Sequence, residues 1–174
     1  MSKDKLDFIF NRHSCRYFSQ EPLREGDIEL LMESLRWAPS AGNMQPWFFY
    51  VVKNEEVREN LAWAAYGQTF ISEAPVVFVI CADAEESASR YGHRGRSLYC
   101  IQDTAAAAEN LLLSATALGS GSCWVGAFDE DRARRVFEIP DNLRPVAIIP
   151  VGYAKGYDMF TSRKSLERIS KVVD

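Results

Sequence analysis

The sequence is short of the groups from which a protein builds its own redox or metal centre. It has two histidines, His13 and His93, eighty residues apart, and no HxxxH pair or carboxylate cluster beside either, so a protein-held catalytic metal lacks its ligands. Its four cysteines, Cys15, Cys81, Cys100 and Cys123, form no CxxC pair and lie mostly in apolar runs, where a free thiol behaves as a small hydrophobe. A disulfide framework and a zinc site are thereby excluded, and any redox chemistry must come from an organic cofactor. No GxGxxG stretch is present, so there is no Rossmann-type dinucleotide site. The most apolar segment, residues 101–118, is interrupted by Gln102, Asp103, Glu109 and Asn110, which argues against a membrane span. Residues 1–10 alternate Lys and Asp without an apolar h-region, predicting no signal peptide and a cytoplasmic location. A formal net charge of -4 leaves no extended basic surface for nucleic acid, although Arg12, Arg16, Arg163 and Lys164 can still form a local anion site.

What is present reads as one domain over residues 1–174, a length within the usual span for a single globular unit. Leu6, Ile9 and Phe10 predict a short first helix that ends before the polar residues 11–14. Asp27 is read as the cap of a second helix whose Ile28, Leu31, Met32, Leu35 and Ala38 recur at helical spacing until Pro39. Residues 40–46 are rich in turn formers, and residues 47–52 read as a buried strand. A helix is predicted over 55–66, a strand over 76–81, and an irregular, mobile excursion or lid over 82–97. Residues 101–118 predict a central helix closed by Gly119, its small residues at 105–108 allowing another backbone to approach. A strand at 122–125, a helix at 130–137, a turn at 140–145 and a strand at 146–151 complete the chain. Clustered helices and few strands point to an α+β fold. Trp63, Tyr66 and Phe70 are read as core.

Two clusters carry possible chemistry. Residues 12–16 place the guanidinium groups of Arg12 and Arg16 beside His13 and Ser14. Arginine offers a planar fork of donors that matches phosphate oxygens, and serine adds a short donor; a solvated basic turn is the commoner reading of these residues taken alone. Residues 39–47 supply the side-chain donors of Ser40, Asn43 and Gln45, while Ala41 and Gly42 let the backbone approach a flat ligand. An ordinary helix-to-strand turn accounts for them as well. His13 is read as a hydrogen-bonding residue, since no nucleophile is paired with it. Tyr91, His93, Arg94 and Arg96 are read as solvated.

The run Arg12-His13-Ser14-Cys15-Arg16-Tyr17-Phe18, then Ala38-Pro39-Ser40-Ala41-Gly42-Asn43-Met44-Gln45-Pro46-Trp47, then Gly119 with Trp124-Val125-Gly126-Ala127-Phe128, and finally Ile149-Pro150-Val151-Gly152, resembles the ordered signature segments of the flavin-dependent nitroreductase family. The resemblance spans nearly the whole chain and is to the compact members. It implies an FMN-binding α+β homodimer with a small mixed or antiparallel sheet flanked by helices. Carried over by position, it implies that Arg12, Ser14 and Arg163 hold the FMN phosphate with Lys164 as helper and His13 alongside. It also implies that Arg16 stabilises the reduced flavin, and that Gln68 reaches the flavin or its ribityl chain. By the same resemblance the backbone of Gly126 and Ala127 faces flavin N5. The loop of Pro39, Ser40, Ala41, Asn43 and Gln45 would reach FMN bound mainly by the other subunit.

The activity implied is a ping-pong transfer of hydride from NADH or NADPH through the flavin to a small acceptor such as a nitroaromatic or quinone. Three other readings stay open: a non-catalytic flavin-binding or flavin-sensing protein, a specialised relative acting as a reductive dehalogenase or flavin-cleaving enzyme, and an anion-binding dimer without FMN.

Overall fold

The computed structural model describes residues 4–156 and 161–173; Met1 to Lys3, the first part of the charged start, lie outside them. A short 3-10 turn leads into α1 (Asp7–Asn11), followed by α2 (Glu25–Arg36), β1 (Trp47–Val52), α3 (Glu55–Ala64), α4 (Phe70–Glu73) and β2 (Val76–Asp83). Then come α5 (Ala84–Arg94), α6 (Cys100–Ala117), β3 (Gly121–Ser122), α7 (Glu130–Phe137) and β4 (Leu143–Gly152). Among the described residues the strands form one antiparallel sheet in the order β1-β2-β4-β3, and the architecture is α+β with a long central helix.

The sheet is covered on both sides, and the two-residue period of the strands sorts their side chains between the covers. Phe78 and Ile80 of β2, with Ala147, Ile149 and Val151 of β4, pack against Leu31 and Leu35 of α2 and Ala107, Ala108, Leu111 and Ala115 of α6. Val77, Val79, Cys81 and Ile148 point the other way, onto Leu61 and Ala64 of α3 and Ala133 of α7. This double burial explains why β2 reads as an unbroken apolar run instead of an alternating one. All four cysteines are buried.

Several local expectations need correction. Asp27 does not cap α2: the helix begins two residues earlier, after Arg24, and the Asp27 carboxylate accepts from the Arg24 guanidinium at 2.7 and 3.1 Å. An acid in the first turn still complements the helix dipole, which is why it resembles a cap. Helix α3 stops at Ala64 because Tyr66 (φ 59°) and Gly67 (φ 79°) turn left-handed. Trp63 and Tyr66 are not core, being 64% and 68% exposed; α3 buries Leu61, Ala62 and Ala64 and turns Trp63 outward under the Arg132 guanidinium, 4.1 Å from the ring centre.

The largest difference concerns residues 82–97. They form α5, started by the Asp83 side chain, which accepts from Glu86 N–H at 3.0 Å. A break at Gly92 (φ 55°) and a π-type turn over Gly95–Tyr99 deliver the chain into α6. The inward side of this helix is small and polar, with Ser87 buried, and no aliphatic side chain larger than alanine marks it in the sequence; polar contacts fasten its end, Arg96 to Glu85 at 2.5 Å and Arg94 to the Tyr99 hydroxyl at 2.9 Å. The expected strand at 122–125 shrinks to β3 plus one bridge between Val125 and Ile148, and the expected turn before β4 ends early, at Leu143. The close of α6 follows expectation, with Gly119 at φ 77° and its N–H on the Thr116 carbonyl.

Candidate functional site

The first group of candidate residues lies where α1 gives way to an extended segment. Cys15 is fully buried, its N–H donating to the Ser122 carbonyl at 2.9 Å, and Ser14 bridges to Ser122. This approach requires Gly121: a side chain there would overlap Cβ and Sγ of Cys15 at 2.7 Å. With Cys15 turned inward, Arg12, His13 and Ser14 remain half-buried and Arg16 exposed. Arg12 and His13 share a cavity of about 340 Å³ with Ile9, Phe10, Thr161 and Arg163, so residues 150 positions apart meet at one place. The Arg163 guanidinium donates to the Thr161 carbonyl and hydroxyl, both at 2.8 Å. His13 Nδ1 donates to the Asn11 carbonyl at 2.8 Å, so that nitrogen carries a proton. Lys164 is exposed and does not line the cavity.

The second group is the loop between α2 and β1. Gly42, Asn43 and Gln45 all have positive φ, at 56°, 57° and 53°. Local bonds tighten the turn: Asn43 N–H to the Ser40 carbonyl at 2.9 Å, Met44 N–H to the Ala41 carbonyl at 3.1 Å, and Gln45 N–H to Ser40 Oγ at 2.9 Å. Pro39, Asn43 and Gln45 are exposed. Asn43 and Gln45 line a cavity of about 280 Å³ with Arg36, Trp37 and Ala38.

The third group joins the end of α3 to the segment before α7. Gln68 donates to the carbonyls of Ala65 and Ala127 at 3.0 and 3.1 Å. Gly126 lines a cavity of about 240 Å³ with Ile101, Phe128, Glu130, Arg144, Pro145 and Val146. Arg144 grips Glu130 through two bonds of 2.9 and 2.7 Å, and its hydrogen bond, more than its charge, holds the Glu130 carboxyl below the usual glutamate range.

The residue reading thus divides among three cavities of a single chain. Arg12, His13 and Arg163 converge, as do Asn43 and Gln45, and Gln68 meets Ala127. Some contributors escaped the sequence reading: Thr161 and Trp37 in the cavity walls, Asp103 and Arg90 as long-range contacts of the 40–45 loop, and Arg144 beside Gly126. Only Asp103 carries a sequence signal, as a lone carboxylate inside an apolar helix. Among the described residues no cluster of three His, Cys, Asp or Glu side chains is placed to hold a metal, and no helix is long and apolar enough to cross a membrane.

Comparison with known proteins finds relatives of this chain in both sequence and fold. A protein of Archaeoglobus fulgidus, provisionally named an NADH dehydrogenase/NAD(P)H nitroreductase, is 35% identical over 86% of this chain and 85% of its own. The NADH dehydrogenase of Thermus thermophilus is 28% identical over 95% and 94% of the two chains. The crystal structure of a nitroreductase family protein from Streptococcus pneumoniae superposes with a TM-score of 0.87 at 27% identity, covering 96% of this chain and 98% of that one. A nitroreductase-like protein from Streptococcus mutans, at 23% identity, shares the fold over the full length of both chains with a TM-score of 0.92. The sequence also matches the model of the Nitroreductase family over residues 9–70 and 62–153, and with that extent of agreement in sequence and fold the chain belongs to the nitroreductase family.

Proposed function

We propose that this protein is an FMN-dependent oxidoreductase working as a homodimer. The observation that carries the proposal is the convergence of Arg12, His13 and Arg163 on one cavity, in a chain of this family. Two guanidinium groups and the Thr161 hydroxyl, with the His13 ring beside them, form a set suited to a phosphate monoester, which is the anionic end of FMN. Ser14 and Lys164 stand next to this set in sequence, outside the cavity lining, and are assigned to the phosphate through the family. The names of the relatives, NADH dehydrogenase and NADPH-dependent oxidoreductase, support a nicotinamide reductant.

FMN held there would supply hydride transfer from NADH or NADPH to a small acceptor such as a nitroaromatic or quinone, in a ping-pong cycle. The chain's own residues do the rest. Arg16 is exposed, with its guanidinium 5.9 Å from the Phe70 ring centre, and serves as the positive charge for the pyrimidine end of the ring, where reduction adds electron density. Gly126 and Ala127 leave room for a reacting atom, with Gln68 fixing the Ala127 carbonyl. Ser40, Asn43 and Gln45 present side-chain hydroxyl and amide groups to a flat polar edge, and Pro39 and Ala41 shape the loop that carries them.

A second copy supplies what one chain lacks. Residues 161–173 are exposed throughout, and Leu166, Ile169, Val172 and Val173 show 62–84% of their surface. On the body of the domain Phe10 is 59% exposed and Trp37 73%, and Trp37 lines a groove of about 380 Å³ with Phe8, Leu113 and Ala117 among others. Apolar surface on this scale marks an association site. Dimerisation covers it and brings the separate cavities of two chains together.

The test is an FMN titration of the purified protein followed by anaerobic addition of NADH or NADPH. Quenched flavin fluorescence and bleaching of the bound flavin are the expected results. A colourless protein that leaves FMN fluorescence unchanged sinks the cofactor assignment, and bound flavin that neither nucleotide bleaches sinks the activity.

A further inference from the structure

The 40–45 loop holds three residues in the left-handed region, two of them, Asn43 and Gln45, with side chains that pay for it sterically. Such backbone persists only where its surroundings over-determine it. Its local bonds close the turn on itself but do not fix it to the rest of the molecule. Two contacts do. Arg90 Nη1 donates to the Gly42 carbonyl at 3.4 Å, a long bond from an exposed side chain, and Ala41 N–H donates to Asp103 Oδ1 at 3.1 Å.

The second anchor is unusual in its chemistry. Asp103 stands on α6, is 7% exposed, and its other oxygen, Oδ2, is buried without a hydrogen-bond partner among the described residues. A buried carboxyl with one of its oxygens unsatisfied is a poor way to stabilise a core, since an apolar residue of the same size would carry no desolvation cost. What Asp103 provides, and an apolar residue cannot, is an acceptor for Ala41.

We propose that Asp103 is a positioning residue: by accepting from Ala41 N–H it fixes the left-handed loop to the central helix, and so holds Ser40, Asn43 and Gln45 in the arrangement that meets the polar edge of the flavin. The last part rests on the FMN reading. Asp103 does not touch the ligand; it acts through the loop.

The experiment compares Asp103→Leu, Asp103→Asn and Ala41→Pro with the unmodified protein, measuring amide hydrogen exchange over residues 41–45, FMN affinity and melting temperature. Leucine removes the acceptor while filling the space. Exchange in the loop is expected to quicken and FMN affinity to fall, each by roughly tenfold, with a melting temperature equal to or above that of the unmodified protein. Asparagine keeps an acceptor oxygen and restores both properties. Proline at 41 removes the donor and leaves α6 untouched; the extended Ser40 before it (φ -141°, ψ 154°) accommodates the ring, and it is expected to reproduce the leucine phenotype, which keeps the test decisive should the leucine variant not fold. Unchanged loop exchange in Ala41→Pro or Asp103→Leu overturns the anchor. Faster exchange with FMN affinity intact overturns its link to the flavin. An unmodified protein that binds no FMN defeats the functional reading instead, and the exchange measurements still decide the anchor.

Discussion

The Gln68 side chain donates to the Ala127 carbonyl at 3.1 Å, across 59 positions of sequence. It ties the turn after α3 to the segment that carries Gly126, and a parallel backbone bond from Asp129 N–H to the Ala64 carbonyl at 2.9 Å reinforces the tie. Gln68→Leu removes the amide and leaves that carbonyl without its protein donor. A loss of about 1 kcal/mol in a urea melt is expected, together with faster amide exchange around Ala127. An unchanged exchange pattern would show that the segment is held without Gln68.

Arg12 and Arg163 come from opposite ends of the described chain to one cavity. If they bind a phosphate, Arg12→Ala and Arg163→Ala each weaken FMN by roughly tenfold or more and leave riboflavin, which lacks the phosphate, nearly unaffected. Parallel titrations with the two flavins separate a phosphate contact from general damage, and equal losses for both would count against the assignment.

Leu111 is fully buried between the sheet and α2. Leu111→Ala leaves a cavity that close-packed neighbours fill only in part, so a destabilisation of about 2–5 kcal/mol is expected. Leu166, 71% exposed in the tail, makes the contrast: in dilute monomer its replacement by alanine costs almost nothing, and in a dimer it weakens association. Sedimentation at several concentrations tests that difference.

Burial pushes the Cys81 thiol from its ordinary 9.0 up to about 12. A thiol whose folded-state pKa is raised contributes stability that is intact below pH 9 and is lost as pH rises towards 12. At pH 8 the native protein should therefore leave Cys81 unlabelled by a thiol-disulfide reagent, and labelling should appear only on unfolding. Rapid native labelling of that peptide would contradict the burial.

The Glu130 carboxyl shifts the other way, held down first by its hydrogen bonds from Arg144. Its stabilising contribution is present above the ordinary value of 4.5 and is lost as pH falls through the lower folded value. Glu130→Gln should flatten the acid limb of stability below about pH 4.5, measured by thermal melts from pH 6 to 3; an identical slope in both proteins would remove the pair from the account.

How much was legible depended on whether an element announces itself by apolar spacing. Residues 28, 31 and 35 mark α2, and residues 76–81 mark β2, because each buries a stripe or a whole strand. Helix α5 stayed hidden because its inward positions are small or polar, with Ser87 buried, and because the Asp83 cap and the Glu85–Arg96 pair that fasten it involve no aliphatic side chain. Trp63 was misplaced for the opposite reason: a large ring looks like core until a neighbouring guanidinium is seen to cover it from outside. In the site, side chains close in sequence, such as those at 12–16, could be grouped by their chemistry, and the resemblance added Arg163. The Ala41–Asp103 contact spans 62 positions, and nothing in the local pattern of either residue names the other.

The cavity shared by Arg12, His13 and Arg163 is walled by residues 9–13 and 161–163, none of which belongs to the buried clusters on either side of the sheet. Packing and anion capture are thereby carried by separate stretches of chain. Side chains around this pocket can change in size and charge without opening a void between α2, the sheet and α6. The pocket is free to be retuned while the body keeps its shape.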